Sequence, residues 1–207
     1  MTTAWSTVRA WCAVHATRQA ALLLGATALL SLLGARSALS GLGVFFFETP
    51  VPLLLLVPTL SGVAVGIGCH RMARVPLPEP PRVLAARFFW CLGLTAVGAV
   101  SVTVAQLAGS PVEAGASLRN VLLHAGLAVL TTLFLGPAVA WLPSMALTLV
   151  AMLYGHSQSG PEVYWWAGLL EDQVTEGQWW VVGALFVGSA TTYAIAAPVR
   201  DRRLRIR

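Results

Sequence analysis

The sequence contains no lysine. That excludes phosphate binding through a P-loop, whose lysine reaches the β- and γ-phosphates, and no G-x-x-x-x-G-K-[ST] run is present. Charge of either sign is scarce: 10% of the 207 residues are charged, against about a quarter in a soluble domain. Cysteine is limited to Cys12, Cys69 and Cys91 with no C-x-x-C pair, which indicates neither a disulfide framework nor a zinc site. His15, His70, His124 and His156 are scattered and no H-E-x-x-H occurs, so metal ligation has no cluster to start from. Paired intramembrane aspartates, internal repeats and low-complexity segments are also missing.

What the chain has in abundance is hydrocarbon. A hydrophobic share of 57% and a mean hydropathy of +0.76 are those of a multi-span membrane protein. The net charge of +5 comes from 13 arginines. In a soluble chain that balance would suggest nucleic acid. Here the arginines sit at the ends of apolar runs, where they set topology and meet anionic headgroups, so the expected partner is membrane lipid and not nucleic acid.

The organising stretch is residues 69–87, CHRMARVPLPEPPRVLAAR. It carries Arg71, Arg74, Arg82 and Arg87 against Glu79, and Pro76, Pro78, Pro80 and Pro81 interrupt any helix running through it. It reads as a cytoplasmic loop. With it and both termini inside, 11 arginines stay in the cytoplasm, and only Arg36 and Arg119 lie outside.

The pattern predicts an all-α polytopic membrane protein of the cell membrane. Residues 1–18 place Trp5, Val8, Trp11, Cys12 and His15 on one face of an amphipathic inner-interface helix. A single six-helix transmembrane domain over 19–207 follows, with spans at about 19–36, 50–68, 88–108, 119–136, 138–154 and 179–197. The first apolar run has no small-x-small cleavage site after it and reads as a retained signal anchor. Pro58 predicts a kink, and Gly62-x-x-x-Gly66 a close helix approach. An outer loop over 155–178, carrying acids and no arginine, holds short interfacial helices with tryptophans at headgroup level. The basic tail over 198–207 is cytoplasmic.

Chemistry is thinly signalled. Gly155-His156-Ser157-Gln158-Ser159 falls one place short of a G-x-S-x-G elbow and lacks the strand before it. An intramembrane serine hydrolase would need a serine beside His124; Ser101 and Ser144 lie in or near other spans, and Thr59-Leu60-Ser61-Gly62 is the nearest sequence miss. His124 either bonds a neighbouring helix or serves a function. Glu48 alone would have to support proton coupling.

Taken together, the inner amphipathic helix, TPVPLLLLVPTLSGVAVGI, the basic loop after it, RNVLLHAGLAVLTTLFLGPAVAWLP and the acidic, tryptophan-rich outer segment resemble the membrane-spanning permease subunit of a type-2 ABC exporter, in its small six-helix actinobacterial form. The resemblance covers essentially the whole chain. It implies a second permease copy or homologue and a separate ABC ATPase subunit, which would hold ATP and magnesium, leaving this chain without a cofactor or catalysis of its own. It implies ATPase contacts at Arg71, Arg74, Glu79 and Arg82. The translocation-route candidates are Gln106, Asn120, His124 and Thr131. The outer-gate candidates are Trp165, Trp166, Glu171 and Asp172. The loop is too rich in proline for the long regular coupling helix of that family. Two other classes stay open: a non-transport membrane scaffold or immunity protein, and the intramembrane hydrolase.

Overall fold

Proline decides where three of the helices begin. The structure, a computed structural model, describes residues 9, 11–13, 15–42, 45–70, 81–155 and 163–203. In chain order its helices are α1 (Thr17–Leu33), α2 (Pro58–Gly68), α3 (Pro81–Thr103), α4 (Ala114–Phe134), α5 (Leu142–Tyr154) and α6 (Glu176–Arg203). Pro58 opens α2, Pro81 opens α3 and Pro143 sits in the first turn of α5. The first turn has no use for the missing N–H, so proline is tolerated there. The kink expected at Pro58 is therefore a helix start. For the same reason the loop expected over 69–87 does not reach Arg87: the chain is helical again from Pro81.

The purely α expectation is corrected at residues 38–52. Strands β1 (Ala38–Leu42) and β2 (Phe45–Pro52) pair antiparallel, with Ala38 opposite Pro52, Leu39 opposite Val51 and Leu42 opposite Phe45. Aromatic and β-branched residues from Phe45 to Val51 favour the strand, and Pro50 and Pro52 could not continue a helix. The second apolar helix starts after this hairpin, with a 3-10 turn at Leu53–Leu55, and not near residue 50.

The molecule is mostly helical. Among the described residues, four stretches are long and apolar enough to cross a membrane: Val83–Ala108, Ala114–Phe134, Pro137–Tyr154 and Glu176–Ala196. Thr17–Leu33 and Leu53–Gly68 are apolar but shorter. Gly136, at φ 104°, turns the chain between α4 and α5 in a conformation that glycine alone adopts readily.

α2 is the hub, nearly enclosed by α1, α3, α4 and α5. A Cβ on Gly62 would stand 2.5 Å from the backbone carbon and Cβ of His124, and one on Gly66 would stand 2.9 Å from Ala128. The Gly62-x-x-x-Gly66 spacing thus brings α2 onto α4 backbone to backbone. Val65, Cys69 and Cys91 meet Ala125, Val129, Phe186 and Tyr193 in one apolar cluster, which draws α6 onto the same core.

The bundle has two ends. The hairpin end carries β1–β2, the turn before α4 and a strap over 163–175. The basic end carries the end of α2, the start of α3 and the end of α6. At the basic end, Trp11 and His15 stack at 4.6 Å between ring centroids and meet Trp90, whose Nε1–H donates to the Gly68 carbonyl at 3.0 Å. His15 is buried there, so this part of the N-terminal face packs on α3 and does not lie free in the interface. Trp5 and Val8 lie outside the described residues.

Candidate functional site

α4 begins five residues earlier than expected, because Glu113 is extended and the small residues Ala114, Gly115 and Ala116 form the first turn. Arg119 is therefore inside the helix and not flanking it, and only 2% of it is exposed. Its guanidinium holds the strap. Nε donates to Asn120 Oδ1 at 3.0 Å, Nη1 to the Gln173 carbonyl at 3.2 Å and Gln178 Oε1 at 2.9 Å, and Nη2 to the Glu171 carbonyl at 2.8 Å. Asn120 Nδ2 donates to the carbonyls of Leu55 at 3.1 Å and Leu169 at 2.7 Å. These two side chains tie α4 to the 3-10 turn before α2, the strap and the start of α6. All these acceptors are neutral, so the positive charge is stabilised by dipoles rather than by a bonded carboxylate.

α6 starts on a capping box. The Gln178 N–H donates to Thr175 Oγ1, and the Thr175 N–H to Gln178 Oε1, both at 3.3 Å. Gln178 Nε2 also donates to Glu171 Oε2 at 2.6 Å. The Thr-x-x-Gln spacing was a readable signal for this start.

One turn further along α4 lies His124, fully buried. Its Nε2 is 3.3 Å from Thr59 Oγ1, which is 3.2 Å from Thr148 Oγ1, and the Thr148 hydroxyl lies 2.9 Å from the Ser144 carbonyl. The polarity of this chain follows from counting protons. With the Thr148 proton on the Ser144 carbonyl, Thr59 donates to Thr148. Thr59 oxygen then accepts from His124 Nε2–H. A general base would have to take a proton from Thr59, which is the reverse. His124 Nδ1, Ser61 Oγ and Ser144 Oγ are buried without a hydrogen-bond partner among the described residues. Ser101 donates to the Val97 carbonyl at 2.9 Å, away from His124.

The other expected residues separate. Gln106 is exposed, in a 3-10 turn at Val104–Ala108, and its Nε2 donates to the Val112 carbonyl at 2.8 Å, closing the turn before α4. Thr131 bonds the Leu127 carbonyl of its own helix at 2.7 Å. Trp165 is 87% exposed while Leu169 and Leu170 are buried, so the 3-10 helix Trp165–Leu170 does not gather them on one face. Trp166 stacks on Tyr164, with centroids 6.3 Å apart. Arg71, Arg74, Glu79 and the run His156–Ser159 lie outside the described residues, and Arg82 falls in the first turn of α3. Among the described residues no three His, Cys, Asp or Glu side chains gather into a metal-holding group.

No family model, curated protein or solved structure matches this chain.

Asp172 closes the acidic rim of the site. Partial burial, together with the charge of Glu113, holds its carboxyl above the usual range, and Arg119 partly offsets this. A carboxyl raised in the folded state penalises folding once ionised, and the penalty vanishes as pH falls below its unfolded value of about 3.9. Asp172→Asn is therefore expected to raise stability at pH 7 by about a few tenths of a kcal/mol, the group being largely exposed. Thermal melts at pH 7 and pH 3.5 check this: the gain should be present at the first and gone at the second.

Proposed function

We propose that the chain crosses the cell membrane six times, counting α1 and Leu53–Gly68 among the crossings, with both termini cytoplasmic, and that it is the permease subunit of an ATP-driven exporter. One observation carries the reading. The end of α2 and the start of α3 come to the same end of the bundle as the end of α6, since Tyr193 packs with Cys69 and Cys91. The sequence that joins α2 to α3 and the sequence at the end of α6 are rich in arginine, which suits docking of a separate ATPase subunit and the positive-inside rule alike. ATP and magnesium would reside in that partner, and a second copy or homologue would complete the route. Alternating access would follow from the ATPase closing in one nucleotide state and not the other, which changes the contacts it offers this basic end.

A scaffold or immunity protein is the second reading, favoured by Arg119 and Asn120, whose side chains are committed to the chain's own acceptors. Affinity purification of the full chain from its native membranes in mild detergent separates the two. A permease is expected to bring ATP hydrolysis with it. Replacing Arg71, Arg74 and Arg82 together by glutamate should lower that hydrolysis at least about tenfold, with the elution volume of the chain unchanged. A wild-type preparation without ATP hydrolysis would exclude the permease.

A further inference from the structure

The apolar faces of the helices are unequal in height. On α3 and the turn that continues it, exposed apolar residues run from Phe89 to Leu107, about 28 Å of rise, close to the roughly 30 Å of a bilayer core. On α5 they run only from Leu142 to Leu153, about 17 Å. Aromatic side chains mark both limits: Trp141 is 48% exposed and Tyr154 67%. Just past Tyr154 the sequence turns polar, GHSQSGPE, and the Tyr164 N–H donates to the Gly155 carbonyl at 2.8 Å.

A second measure agrees. From the buried Arg119 to the turn at Leu135, α4 rises about 24 Å. The turn from Leu135 to Trp141 contains no charged residue, and the Leu135 and Gly136 N–H groups both donate to the Thr131 carbonyl. Both helices are long enough to cross a membrane, yet the height from Arg119 to Leu135 falls short of an ordinary bilayer core when Arg119 stays at headgroup depth.

We infer that the α4–α5 face seats a locally thinned bilayer, fitting lipids of short acyl chain, while the α3 face meets a bilayer of ordinary thickness. Mismatch of this kind is relieved by thinning the lipid or by tilting the protein, and the tall α3 face opposes a tilt that would sink α5. The inference needs only that the chain is in a membrane, and its test does not read ATP hydrolysis.

The full chain, with Cys12→Ala and Leu135→Cys, is labelled with a nitroxide and reconstituted in phosphatidylcholine nanodiscs of fourteen-, eighteen- and twenty-two-carbon chains. Val150→Cys, about two thirds of the way along α5 and inside its exposed apolar run, is the deep reference. The label at 135 is expected to meet an aqueous nickel chelate several-fold more often than the label at 150, and the melting temperature to fall by about 5 °C from the shortest chains to the longest. If the label at 135 is reached by oxygen alone, as at 150, the turn is immersed and the inference is overturned. A melting temperature that is flat or rises with chain length overturns it equally, and that measurement needs no labelled variant.

Discussion

Replacing Arg119 by leucine is expected to lower the melting temperature by about 10 °C. The change leaves Asn120 Oδ1 and the carbonyls of Glu171 and Gln173 without the donor that now satisfies them and takes one of two donors from Gln178 Oε1, at a buried Arg119 whose strap-side partners are partly buried. Each buried acceptor left bare costs about 1–3 kcal/mol, and breaking a buried charged network typically totals about 3–5 kcal/mol. In a chain of this length each kcal/mol shifts the midpoint by about 2–4 °C. Arg119→Lys should recover only part of the loss, because an ammonium cannot reproduce the planar fork that reaches four acceptors. Protease cutting between residues 163 and 175 should rise in parallel, since the strap loses its main anchor. Loss of stability without faster cutting of the strap would mean that the guanidinium matters to α4 and not to the strap.

The second large effect is expected at Gly62. An alanine there would place its Cβ 2.5 Å from two carbons of His124 and 2.8 Å from the Ala125 nitrogen. The obstruction is largely backbone, so no side-chain rotation relieves it. The helices must separate by roughly 1 Å, and overpacking of this order costs about 1–3 kcal/mol. Separation also stretches the Thr59–His124 contact, which sits one turn away at 3.3 Å. Gly62→Val should be worse still, approaching loss of the folded protein. Gly93→Ala is the internal control: nothing lies within 4 Å of its Cβ position, and alanine in a helix interior is favoured by about 0.5–1 kcal/mol. The two alanine variants should therefore move in opposite directions in a thermal melt. Equal effects would mean that helix propensity, and not approach distance, governs both positions.

Much of the helical framework was legible in the residues. The apolar runs of α3, α4 and α6 announce themselves by length, and Gly62-x-x-x-Gly66 marked a packing face that the structure places on α4. The hairpin was harder, since Phe45–Phe47 and the prolines after them suit a broken membrane helix as well as a strand. The starts of α2 and α3 differ from expectation because proline, which interrupts a helix running through it, is neutral in a first turn, as at Pro58 and Pro81. The site was legible only in part. Asn120 and His124 were visible as polar residues in an apolar run, but their partners come from Leu55, Leu169 and Thr59, far away in sequence. Arg119 was counted as a flanking charge. An arginine followed by asparagine at the head of a membrane run was the available signal, since intramembrane charge rarely goes unpartnered.

Gln178 accepts from Arg119 with the same oxygen that closes the first turn of α6. The order of synthesis gives that sharing a meaning. A nascent chain interrupted before residue 176 would bury Arg119 with one of its four acceptors not yet made. Such a chain carries an under-compensated cation, and that is a mark by which surveillance proteases could tell unfinished copies from finished ones.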